Sequence, residues 1–118
     1  IGSGGISRPN TENQFIIFSP EWHSDTGAIT YIDLDVGHLA NDLDDDGVVS
    51  ASNSLVGSAP GDFVGDNGLE LNMTGDKVLI SSPDWNGTRG AVTYLDLNTG
   101  LFGGTGGTLA GVIDETNS

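Results

Sequence analysis

The sequence predicts an all-β protein made of two tandem, antiparallel, propeller-blade-like repeats belonging to a larger propeller or repeat array. Three observations carry that prediction. The chain aligns with itself at an offset of 63 residues. Short apolar runs are separated by turn signals rich in glycine and asparagine. No segment repeats its apolar residues with the 3.6-residue period of a helix.

The repeat is explicit in rare residue types, the clearest sign of a tandem architecture. Ser19-Pro20-Glu21-Trp22 aligns with Ser82-Pro83-Asp84-Trp85, and Gly27-Ala28-Ile29-Thr30-Tyr31 aligns with Gly90-Ala91-Val92-Thr93-Tyr94. Gly2, Gly5 and Gly37 fall on Gly65, Gly68 and Gly100. After one inserted residue the offset becomes 64, so that Gly47-Val48 falls on Gly111-Val112 and Asn53-Ser54 on Asn117-Ser118. Residues 1–54 form a first copy, incomplete on its N-terminal side, and residues 55–118 form a second. Residues 55–63 have no counterpart at either end, and neither end carries the polar cap that closes an array. The expectation is a window onto a longer series, its flanks packed against further copies of the repeat or identical subunits.

Each strand has its own signal. Phe15-Ile16-Ile17-Phe18 is a compact apolar run in the first copy. Leu69-Glu70-Leu71-Asn72-Met73 alternates apolar and polar residues, as a half-buried strand does. Thr74-Gly75-Asp76 supplies a hairpin turn, and Val78-Leu79-Ile80 reads as a strand buried on both faces. Asn86-Gly87 turns the chain into a strand from Ala91 to Leu97, and Asn98-Thr99-Gly100 turns it out again. A last strand runs from Leu109 to Ile113. Four strands in about 60 residues fit one propeller blade or a few rungs of a β-solenoid. The tight hairpin signals favour the blade, and the solenoid stands as the alternative.

Composition limits the partners. Three Lys and Arg against 17 Asp and Glu give a formal charge of −14. Neutralising nucleic-acid phosphates needs cations that this chain lacks. No apolar run is long enough to insert in a membrane. There is no cysteine, hence no disulfide framework and no thiolate site. The two histidines, His23 and His38, are not repeated in the second copy, where Asn86 and Leu101 stand. No nucleophilic triad or zinc site emerges, and the reading is non-enzymatic.

Phe63-Val64-Gly65, Val78-Leu79-Ile80-Ser81-Ser82-Pro83 and Gly90-Ala91-Val92-Thr93-Tyr94 resemble the FG-GAP blade of integrin-type propellers. A closer resemblance takes in Asn53-Ser54-Leu55-Val56-Gly57-Ser58, Gly61-Asp62-Phe63-Val64-Gly65, the Ser-Pro-x-Trp element and the Gly-Ala-Val-Thr element. These are similar to tandem repeats of large secreted bacterial adhesins of the filamentous-haemagglutinin kind. The resemblance implies a structural or adhesive module, extracellular or on a cell surface, assembled into a filament or array. It does not imply a ligand, because a fold does not fix a function. Asn72-Met73-Thr74-Gly75-Asp76 and Pro9-Asn10-Thr11-Glu12-Asn13 stand where FG-GAP blades carry a calcium loop. Neither has the D-x-D-x-D-G form, so that site is not carried over.

A different segment has the calcium pattern. Asp42, Asp44 and Asp46 occupy positions 1, 3 and 5 before Gly47, which permits the sharp turn. Position 7 offers the carbonyl of Val48, and Ser50 offers a hydroxyl or a bound water. Position 12 is Asn53 rather than a bidentate Glu, and the second copy has Gly103-Gly104-Thr105-Gly106-Gly107-Thr108 in place of the acids. Asp42, Asp44, Asp45 and Asp46 repel one another unless a cation screens them. The expected ion is calcium, with magnesium or a solvated acidic loop as alternatives. Trp22 and Trp85 have two readings, packing between repeats or stacking on the sugar rings of surface glycans. With the acidic loop, the second reading gives a cation-dependent carbohydrate-binding module as the alternative function, and a propeller hydrolase is a third.

Overall fold

The computed structural model describes residues 2–9, 13–35, 38–39, 48–67, 69–71, 76–99, 101–102 and 111–112. They form an all-β structure. The first sheet contains β1 (Gly5–Ser7), β2 (Gln14–Ser19), β3 (Ala28–Asp33), β4 (His38–Leu39), β5 (Leu55–Val56) and β10 (Gly111–Val112). The second contains β6 (Leu69–Leu71), β7 (Lys77–Ser82), β8 (Ala91–Asp96) and β9 (Leu101–Phe102). All pairings are antiparallel except that of β10 with β5. Among the described residues no helix is long and apolar enough to cross a membrane.

The two copies share one register. Ile6 faces Ile17 in the first and Leu69 faces Ile80 in the second, each pair at the 63-residue offset. Ile16 faces Tyr31 just as Leu79 faces Tyr94, and Ile32 faces Leu39 just as Leu95 faces Phe102. Even the tie at the start of each copy is repeated: the Gly2 amide donates to the Ser19 hydroxyl at 2.8 Å, and the Gly65 amide to the Ser82 hydroxyl at 3.3 Å. Leu55 and Val56, which open the second copy in sequence, pair with β3 of the first.

Strand alternation gives each sheet two faces. We call the face carrying Ile16, Phe18, Ile29 and Tyr31 the leading face of the first unit. The trailing face of the second unit carries Val78, Ile80 and Leu95, with Leu97 just beyond the strand. These two unlike faces pack on each other and, with Leu55 and Val64, form the main core. Burial, with the charge of Asp33 nearby, pushes the Tyr31 phenol up to about 12. A smaller cluster of Ala28, Val49 and Val56 lies on the other face of the first sheet, with Trp22 against it.

The same positions have different fates in the two copies. Ile16 and Ile29 are 0% exposed, whereas their equivalents Leu79 and Val92 are 49% and 55% exposed. The expectation that Val78-Leu79-Ile80 is buried on both faces is therefore corrected. Val78 and Ile80 are inside, but Leu79 points away from the first unit onto a face that no described segment covers.

Equivalent truncations should then cost unequal amounts. Ile29→Ala should destabilise by about 2–5 kcal/mol, through lost burial and a residual cavity. Val92→Ala should stay within about 0.5 kcal/mol, as exposed substitutions do. Urea unfolding of both variants in dilute solution checks this, and equal losses would mean that the two faces are equally buried.

Candidate functional site at the joint between repeats

Between β2 and β3 the chain makes one tight turn, Trp22–Asp25, and between β7 and β8 its counterpart, Trp85–Thr88. Both wind the wrong way for L-residues. His23, Ser24 and Asp25 have φ of 51°, 61° and 64°, and Asn86, Gly87 and Thr88 have φ of 54°, 67° and 70°. Each non-glycine residue there costs roughly 1–2 kcal/mol relative to a right-handed conformation. Gly27 donates to the Trp22 carbonyl and Gly90 to the Trp85 carbonyl, both at 3.0 Å, which closes each turn in the same way. The Thr26 hydroxyl adds a bond to the His23 carbonyl at 2.8 Å.

The first turn is held from outside as well. Its distorted backbone aims the Asp25 carbonyl at the segment that links the copies, and the amides of Gly61 and Phe63 both donate to it at 3.0 Å. Val64 donates to the Thr26 carbonyl and Gly57 to the Gly27 carbonyl, each at 3.2 Å. Gly27 and Val64 form a parallel bridge, so close that a Cβ on Gly27 would collide with the backbone of Phe63 and Val64. No described linker segment reaches Gly90, where an added Cβ would come nearest to the Pro83 carbonyl at 3.3 Å.

Asp62 joins the linker to the second turn. It is 2% exposed, a rare position for a carboxylate. Oδ2 accepts from the Ser58 amide at 2.7 Å, the Ser58 hydroxyl at 2.9 Å and the Ala59 amide at 2.9 Å. Oδ1 accepts from the Asn86 amide at 2.9 Å, inside the left-handed turn of the second copy. Burial is the largest single influence on this carboxyl and pushes its pKa up. The hydrogen bonds from Asn86, Ala59 and Ser58 together outweigh it and hold Asp62 below the usual carboxylate range.

Beside this joint lies a groove of about 310 Å³, lined by Trp22, His23, Ser24, Thr26 and residues 56–60. The Trp22 and His23 rings lie 5.2 Å apart at a 35° tilt, and Trp22 remains half-buried. Trp85 instead packs against the main core between the sheets. The two equivalent tryptophans thus serve different surroundings, one beside a groove and one at the repeat interface.

Of the residues that sequence assigns to calcium, Asp42, Asp44 and Asp46 lie outside the described residues. Val48 and Ser50 are described, and both belong to a turn organised by buried Asn53. The Asn53 amide donates to the Val48 carbonyl at 2.7 Å, and its oxygen accepts from the Ser50 amide at 3.0 Å. The Ser50 and Ser52 hydroxyls lie 2.6 Å apart. Asp62 had no distinguishing mark as a single residue, being one of 17 Asp and Glu. Its signal was the segment Gly61-Asp62-Phe63-Val64-Gly65, where a charge interrupts small and apolar residues at the repeat boundary.

Replacing Asp62 with Asn removes the charge and turns an amide group toward backbone donors. The cost at neutral pH should be about 2–4 kcal/mol. Because folding lowers this pKa, the charge stabilises the fold above the unfolded-state value of 3.8, and that contribution fades as pH falls through the folded-state value. The stability gap between wild type and Asp62→Asn should therefore shrink on acidification below about pH 4. Paired urea titrations at neutral and acidic pH read it directly, and a gap that stayed constant would place the effect elsewhere.

Neither the curated proteins nor the solved structures compared with this chain gave a match. A family of repeats matches residues 9–66 and again residues 73–118. The chain belongs to the family described as Repeat of unknown function (DUF5650).

Proposed function

We propose that this chain is a non-enzymatic structural repeat module of an extracellular or cell-surface array, in which blade-like units stack to build length and present an acidic, adhesive surface. The observation that carries this reading is the use made of Asp62. It is the buried carboxylate among the described residues, and it accepts from four donors, three that shape its own loop in the linker and one, the Asn86 amide, that ties this loop to the second turn. A catalytic or ligand-binding carboxylate keeps a lone pair turned toward substrate, whereas this one faces only the chain. The net charge of −14 and the absence of cysteine suit a secreted array that stays soluble without disulfides. The packing of two units by unlike faces supports the propeller-like reading, in which the number of units would set closure.

The groove beside Trp22 favours a second reading. An aromatic ring flanked by the His23 imidazole and the hydroxyls of Ser24, Thr26 and Ser58 has the mixed character of a saccharide subsite.

Calorimetry separates these readings. As a structural unit the chain should melt in a single transition, calorimetric and van't Hoff enthalpies agreeing, with a Tm indifferent to added oligosaccharides. Two separate transitions would mean that the repeats are independent beads, contrary to the proposal. A Tm raised by an oligosaccharide, and no longer raised in Trp22→Ala, would make the chain a binding module.

A further inference from the structure

The joint between the two units packs the leading face of the first on the trailing face of the second, and among the described residues one further face of each kind remains open. On the second unit, the leading face presents Leu79 and Val92, with Tyr94 half-buried beside them. These are the positions of Ile16, Ile29 and Tyr31 in the inner joint. On the first unit, the trailing face presents Phe15, Ile17 and Ile32 half-buried and Leu34 at 55% exposure. These are the positions of Val78, Ile80, Leu95 and Leu97, all of which the inner joint buries.

From this we infer that the leading face of the second unit is a docking surface for the trailing face of a first unit from a further copy of this chain. The inference rests on the structural-module reading above and names its partner. The fit follows from the inner joint, where the same backbone registers bring the same positions together. Apolar residues meet apolar residues at most positions, with Leu79 for Ile16, Val92 for Ile29 and Tyr94 for Tyr31, while Ser81 takes the place of Phe18. Opposite them stand Phe15 and Ile17 for Val78 and Ile80, and Ile32 and Leu34 for Leu95 and Leu97.

A polar contact has an equivalent too. In the inner joint the Gln14 side chain donates to the Leu97 carbonyl at 3.1 Å. Lys77 takes the place of Gln14 on the second unit and Leu34 that of Leu97, so an ammonium faces a carbonyl across the new joint. Lys77 also lies 3.3 Å from Asp96 and 3.5 Å from Asp76, which hold its ammonium at this edge of the face. Gly2 of the incoming chain, at φ of 73° and tied to Ser19, stands where Gly65 stands at φ of 87°, tied to Ser82. An unlike-face contact does not exhaust itself in a pair, so the product is a head-to-tail series.

The charge of −14 on each chain opposes the encounter. Salt that screens this repulsion should strengthen association rather than weaken it, the Debye length falling from about 8 Å at physiological salt to about 3 Å at 1 M.

Sedimentation of the chain from micromolar to sub-millimolar concentration, at both salt levels, is the first arm of the test. Cross-linking is the second, made clean by the absence of native cysteine. Chains carrying Lys77→Cys are mixed with chains carrying Leu34→Cys under mild oxidation. The expected result in the first arm is mass-action association that grows with salt and is lost in Leu79→Asp without loss of the thermal transition. In the second, disulfide-linked dimers holding one chain of each variant should outnumber the like-with-like dimers of either variant alone. A monomer throughout with no mixed cross-link would overturn the inference. So would association that survives Leu79→Asp, or cross-links favouring like positions, since either places the contact elsewhere. A single cooperative melt together with a persistent monomer would reject this partner while leaving the structural module standing.

Discussion

A carboxylate removed from water at the seam of two repeats is a demanding thing to build around. Asp62 could be buried as an ion because four hydrogen-bond donors were brought to it, three from its own loop and one from a backbone amide 24 residues onward. Those donors fix the shape of the linker, and the linker in turn fixes where each sheet lies. On one side the amides of Gly61, Phe63 and Val64 hold the turn of the first copy. On the other, Oδ1 holds the turn of the second. With the two turns set, the leading face of one sheet meets the trailing face of the next, and the apolar core follows.

This dependence explains why both copies keep a left-handed turn. A right-handed turn would be cheaper locally but would aim the Asp25 carbonyl and the Asn86 amide in other directions. In the second copy Asn86 and Gly87 ease the cost, since Asn tolerates and Gly readily adopts a positive φ. The first copy has His23, Ser24 and Asp25 instead, and bonds from Thr26 and the linker supply the compensation. The strain and the fastening belong to one device.

Much of the architecture was legible in the sequence because the repeat was. The shared offset fixed which strands are equivalent, and every described pairing in the second sheet has its counterpart in the first. Other features had no local signature. Nothing in His23-Ser24-Asp25 suggests a left-handed turn, and the clue lies only in the alignment with Asn86-Gly87. The run Val78-Leu79-Ile80 misled because a continuous apolar strand looks the same whether its second face is covered by its own chain or left for a partner. The role of Asp62 depends on a contact between segments far apart in sequence. The acidic residues Asp42, Asp44 and Asp46, the most conspicuous motif in the chain, lie outside the described residues.

Asp62 holds the linker and the second turn with the strength of the core. Native-state hydrogen exchange of the Ser58, Ala59 and Asn86 amides tests it most directly, because Asn86 lies on the surface and would otherwise exchange as a loop. These three amides should exchange only through global unfolding, at rates matching the core strands β3 and β8. Rapid exchange of the Asn86 amide, with β3 and β8 still protected, would contradict it.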